Sequence, residues 1–136
     1  MGGLVNLTNH PLETWPATQR ERALAQWGAV LELSAGATLV DIASDEEAVV
    51  RQAQALVDES RRRGATAALV AGELRLTLAL VALLQAAGVA CVTTVSERHV
   101  EETPQPDGTM RTLRTYRFAG FRRVPDLAPL LRRSVP

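Results

Sequence analysis

The sequence predicts an α/β fold: a Rossmann-like, mainly parallel sheet flanked by helices, with an antiparallel hairpin toward the C-terminus. Three observations predict it. Short apolar runs without alternation, such as Thr66 to Gly72 (TAALVAG) and Val89 to Val95 (VACVTTV), read as strands covered on both faces. These runs alternate with helical patterns, as right-handed crossovers between parallel strands require. Further on, the pattern changes to two alternating runs around Pro106-Asp107-Gly108, which is a hairpin signal.

Gly3 to Leu7 supplies the first strand. Pro16 to Trp27 reads as the first helix, with Pro16 near its first turn and Gly28 ending it. Val30 to Leu33 is a short second strand. Ser44-Asp45-Glu46-Glu47 reads as a capping box with Ser44 as N-cap and acids on the positive end of the dipole. The helix it opens buries Val49, Ala53, Leu56 and Val57 and closes with Arg61-Arg62-Arg63-Gly64. Thr66 to Gly72 is the third strand, and the stretch from Glu73 to Gly88 the third helix. That helix is apolar nearly all round, with Leu74, Leu76, Leu78, Leu80, Val81, Leu83 and Leu84. One face can pack on the sheet, and a small domain has little else to cover the remainder, so a C2 homodimer is expected. Val89 to Val95 is the fourth strand. Val100 and Glu101 lead into the hairpin; Leu113, Tyr116, Phe118 and Phe121 lead out. Asp126 to Arg133 forms a short helix. With no repeats and no linker, residues 1–136 read as one domain.

At 136 residues and 46% hydrophobic, the chain is large enough for one domain with one core. Its zero net charge hides an asymmetry: 14 acids and 8 arginines up to Met110, then 7 arginines and only Asp126. All 15 basic residues are arginine, which reads as a compositional habit of the source. The basic quarter has no aromatic-interleaved face, so duplex nucleic acid is not an expected partner. Arg111, Arg114, Arg117, Arg122 and Arg123 are expected to pair with Glu97, Glu101 and Glu102 across strands. The single Cys91 excludes an intramolecular disulfide, suits a reducing cytoplasm and reads as a core residue. Residues 1–8 lack the basic start and apolar run of a signal peptide, and Leu78 to Leu84 is too short to span a bilayer. The expected location is cytoplasmic, without membrane contact.

Open α/β sheets bind ligands at the carboxyl ends of their strands, near the point where strand order reverses. Three strand ends carry polar residues here. They are Thr8, Asn9 and His10; then Gly72, Glu73 and Thr77; then Thr93, Thr94, Ser96, Glu97 and Arg98. In a parallel sheet the three sets converge on one crevice. Its chemistry suits a phosphate-bearing ligand: Gly72 admits a ligand to the free N–H groups at a helix start, and Arg98 can contact a phosphate bidentately. The dinucleotide-binding and Walker glycine loops are absent. No His, Cys or carboxylate spacing makes a metal site. Bland readings stand beside these. Asn9-His10-Pro11 also fits a simple turn, and Glu73 reads first as an acid complementing a helix dipole. His99 reads as a solvent-facing strand residue, and Trp15 and Trp27 read as packing anchors. On residue chemistry alone the chain is a small Rossmann-like binding domain.

Three stretches carry a resemblance. LVAGELRLTLALVALLQAAGV resembles the second half of CRISPR-associated Rossmann-fold (CARF) domains, where a small, glycine-containing turn leads into a Thr- and Leu-rich helix. TTVSERHVEETPQPDGTMRTLRTYRFAGFRRV is similar to the C-terminal end of the small single-domain CRISPR-associated ring nucleases. NLTNHP sits where those proteins carry a polar first loop. The resemblance implies a homodimer that binds a cyclic oligoadenylate across its two-fold axis, cyclic tetra-adenylate ahead of hexa-adenylate. It implies metal-independent linearisation, with no cofactor, by attack of a ribose 2′-OH on the adjacent phosphorus, so ending type III CRISPR signalling. The catalytic set it implies is Thr8, Asn9, His10 and Arg98, with His10 as general acid or base. The ligand-binding set is Gly72, Glu73, Thr77, Thr94, Ser96 and Glu97. A non-catalytic sensor or sponge for the same ligand, and a small dimeric interaction protein, are the alternatives.

Overall fold

Two four-residue strands buried at every position, β1 (Leu4–Leu7) and β3 (Ala67–Val70), lie side by side at the centre of the sheet in the computed structural model. The structure describes residues 2–133, so Met1 and residues 134–136 of the expected domain lie outside the described residues. The short β2 (Val30–Glu32) pairs with β1 on one side, and β4 (Ala90–Pro104) pairs with β3 on the other, all parallel. The antiparallel β5 (Met110–Arg123) closes the edge, giving the order β2-β1-β3-β4-β5. The chain steps outward from β1 to β2 and then crosses back over β1 to β3. The strand order therefore reverses between β1 and β3.

Alternation along the central strands builds two core layers. Leu4, Ala67, Leu69 and Val92 pack with Trp15 and Ala23 on the face covered by α1 (Ala17–Trp27). Val5, Leu7, Ala68, Val70 and Cys91 pack beneath α2 (Glu46–Arg62) and α3 (Leu74–Ala86) on the other. In α2 the inward residues are Val49, Ala53, Leu56 and Val57, the set its periodicity predicts. In α3, Leu76, Leu80, Val81 and Leu84 are buried, while Leu74 and Leu78 remain exposed. Trp15 is buried, and Trp27 packs edge-on against Phe121 with ring centroids 5.0 Å apart. Burial pushes the Cys91 thiol up to about 11. A short α4 (Leu127–Leu131) falls within the expected tail helix.

Three expectations need correction. The N-cap of α2 is Asp45, whose carboxylate accepts from Ala48 N at 2.8 Å, and not Ser44. Asp and Ser cap about equally well, and the carboxyl here also complements the positive helix end, so the helix opens one residue later. The fourth strand does not stop at Val95. β4 runs unbroken for 15 residues, through a register shift between Val95 and Ser96, to the turn at Gln105–Gly108. That turn is the expected one, with Gly108 at φ 85° and Asp107 accepting from the backbone of Thr109. Finally, the register sets Glu97 opposite Arg117, but Glu101 opposite Leu113 and Glu102 opposite Thr112. The ion pairs found among the described residues lie elsewhere and join none of these acids to the hairpin arginines.

Candidate functional site

The loop after β1 is organised from behind by a residue inside the strand. Asn6 is buried, the one polar side chain in β1. Its amide nitrogen donates to His10 O at 2.8 Å and to Glu32 Oε1 at 2.9 Å. Its oxygen accepts from Thr8 N at 3.1 Å and Thr8 Oγ1 at 2.7 Å. Two donors face the oxygen and two acceptors face the nitrogen, so only this amide orientation satisfies the site. Glu32 Oε1 also accepts from Leu12 N at 2.8 Å, and Trp15 Nε1 donates to His10 O at 2.9 Å. From the loop after β2, the buried Thr38 donates to Asn9 Oδ1 at 2.7 Å.

The consequence is a polar loop with a fixed backbone and a presented side chain. His10 is exposed, and its backbone alone takes part in these bonds. Beside it opens a cavity of about 240 Å³ lined by Thr8, His10, Trp15, Leu69, Ala71 and Thr94. A smaller one of about 120 Å³ lies across the loop, against Asn9, Glu32 and Thr38. At the β1–β3 reversal Gly72 faces Asn9: a Cβ there would stand 3.4 Å from Asn9 Nδ2, and φ is +132°. That is ordinary contact distance, so what calls for glycine at Gly72 is the positive φ, which L side chains rarely adopt.

The sequence-predicted residues separate into three groups. Thr8, His10 and Thr94 share one cavity, and Asn9 lies against Gly72. Glu73 and Thr77 serve their own helix. The Glu73 carboxylate caps α3 on Arg75 N at 2.6 Å and pairs with the Arg75 guanidinium, which together hold it below the usual carboxylate range. The Thr77 hydroxyl donates to Glu73 O at 2.9 Å. Ser96, Glu97 and Arg98 are exposed on β4 beyond the register shift, and none lines the cavity of its own chain. The expected convergence of three strand ends therefore becomes two loops and the middle of a strand. Thr94 lines the cavity because β4 simply continues past the end of β3.

Sequence reasoning missed Asn6, Glu32 and Thr38. An asparagine within the otherwise apolar LVNL is the signal that was available for the first. The cavity lining holds hydroxyls, an imidazole, an indole and the Gln19 carboxamide, but no arginine or carboxylate among the described residues. Among the described residues no group of His, Cys, Asp or Glu could hold a metal ion, and no helix is long and apolar enough to cross a membrane. Residues 3–122 match the family model described as the uncharacterized protein MJ1673 family. No curated protein and no solved structure matches.

Proposed function

We infer that this chain, which belongs to the uncharacterized protein MJ1673 family, is a cytoplasmic CARF-type ring nuclease that binds a cyclic oligoadenylate at the β1–β3 reversal and linearises it. The observation that carries this reading is the first loop: a rigid polar turn at the switch point that presents His10 to a cavity shared with Thr8 and Thr94. The cavity is smaller than a drug-sized pocket and suits one base or one phosphate of a larger ligand. Two copies across a two-fold axis would each hold part of the ring, and cyclic tetra-adenylate is the expected substrate.

The ribose 2′ oxygen bonds to the adjacent phosphorus and the bond from phosphorus to the 5′ oxygen breaks. The proton passes from the 2′-OH to the departing 5′ oxygen, leaving a cyclic 2′,3′-phosphate. In this reading His10 relays it. Thr8 and Asn9 hold the reacting atoms in line. A second reading, a sensor or sponge that binds without cleaving, is favoured by one fact: no arginine among the described residues lines the cavity to stabilise the developing charge. Incubation with cyclic tetra- and hexa-adenylate, separated by chromatography, decides. Linear products that persist in EDTA support the nuclease. Retention of intact ring supports the sponge. Neither outcome from either ring overturns both.

A further inference from the structure

Beyond Thr94 the β4–β5 pair leaves the body of the domain as an arm. It runs from the Ser96–Phe118 pair to the Pro104–Met110 pair, on the order of 30 Å at ~3.3 Å per residue. A two-stranded hairpin with neither face covered is marginal in water. This one is amphipathic, because cross-strand partners share a face. One face carries Phe118, Tyr116, Val100, Pro104 and Met110; the other carries Leu113 as its one large apolar residue. Tyr116 is 68% exposed, Met110 56% and Val100 46%.

The order of residues along the apolar face is self-complementary. Val100 occupies the middle pair of five. Arg98 stands two residues to one side and Glu102 two to the other. Phe118, half-buried against Phe121 and under Arg22 with its outer edge open, ends the face at the base, and Met110 with Pro104 ends it at the tip. We propose that a second copy of this chain covers the face, the two arms packing antiparallel about a two-fold axis through Val100. Each Arg98 then meets Glu102 of the other copy, and each Phe118 meets the other's Met110 and Pro104, as an isologous interface requires. Arg114, paired with Val100, meets its own copy at the axis, but it lies on the outer strand, from which its stem can carry the charge out to water. The open edge of β5 is the poorer route to a dimer. Edge pairing centred on Arg114 would set Arg114 against Arg114 and Arg111 against Arg117 with no stem free to turn from the ladder, whereas the arm face brings Arg98 onto Glu102.

This surface stands on the arm itself; it rests on the nucleotide reading only for its purpose, which is to set two first-loop cavities about one axis. The test is a charge swap on the full chain, read by sedimentation at micromolar concentration. The unaltered protein should be a dimer. Arg98→Glu and Glu102→Arg should each raise the dissociation constant about tenfold or more. The double swap should restore it, and Val100→Asp should give a monomer. An unaltered protein that is monomeric, single swaps that leave the dimer intact, or a double swap that fails to restore it while circular dichroism shows a folded chain, overturns the proposal. Retention of cyclic tetra-adenylate by the unaltered protein is scored separately. A dimer that follows the swap pattern and retains no ring sustains the arm pairing and refutes the nucleotide reading.

Discussion

Asn6 makes the sharpest prediction about the site, because it touches no ligand in the proposed mechanism and yet sets the loop. Replacing it with Ala removes four hydrogen bonds. They are not lost equally. His10 O keeps the Trp15 indole, and Glu32 Oε1 keeps Leu12 N. The N–H of Thr8 loses its acceptor at a half-buried position, while its hydroxyl keeps His10 O at 3.3 Å. At ~1–3 kcal/mol for a buried group left unpaired, and toward the low end where water can reach, Asn6→Ala should cost about 1–2 kcal/mol.

Asn6→Asp is the more discriminating change. It keeps the acceptor for Thr8 but sets a carboxylate against His10 O and Glu32 Oε1, both acceptors and one of them charged. Two carboxylates so close raise the folded-state pKa of the pair above its unfolded value. A raised folded pKa contributes stability that is present below the unfolded pKa and lost as pH rises through the folded one. The variant should therefore lose more stability at pH 7 than at pH 5, relative to the unaltered protein. Urea denaturation at both pH values, followed by circular dichroism, measures this. An Asn6→Ala cost within about 0.5 kcal/mol, the range of an unremarkable surface change, would refute the reasoning. So would an Asn6→Asp deficit that does not shrink in acid.

Other predictions follow from single positions. Gly72→Ala adds a Cβ at φ +132°, 3.4 Å from Asn9 Nδ2, and should lower stability by ~1–3 kcal/mol; an unchanged melting temperature would show that the reversal tolerates a side chain. Cys91, with its thiol pushed up to about 11 by burial, should react with iodoacetamide at pH 8 only as fast as the protein unfolds; rapid labelling of the native chain would contradict the packing. His10→Ala should leave the fold intact, since only its backbone joins the network, while cleavage of cyclic tetra-adenylate falls by about 10²–10⁴ and ring retention changes much less. If the same change lowers stability and leaves turnover per folded molecule unaltered, His10 shapes the turn and transfers no proton.

What the sequence disclosed and what it withheld divide along one physical line. Apolar periodicity and capping residues are local, so the central strands, the three long helices and the hairpin turn at Asp107-Gly108 are all legible within short windows. The end of β4 is not legible, because the change from Val95 to Ser96 reports loss of burial, and a strand that leaves the core keeps its backbone. Reading that change as a strand end placed Ser96, Glu97 and Arg98 at the crevice, whereas the structure carries them out along the arm. The location of the first loop was legible from the strand-end rule, and its mechanics were not. Thr8, Asn9 and His10 lie together in sequence, but Glu32 lies 26 residues from its Asn6 partner and Thr38 lies 29 from Asn9. A lone asparagine in LVNL satisfies its amide only through those distant groups and the turn it supports. The rigidity that catalysis would need thus originates one layer behind the residues that would perform it. Asn6→Ala and His10→Ala should for that reason separate cleanly, the first acting through stability and loop geometry, the second through the chemical step.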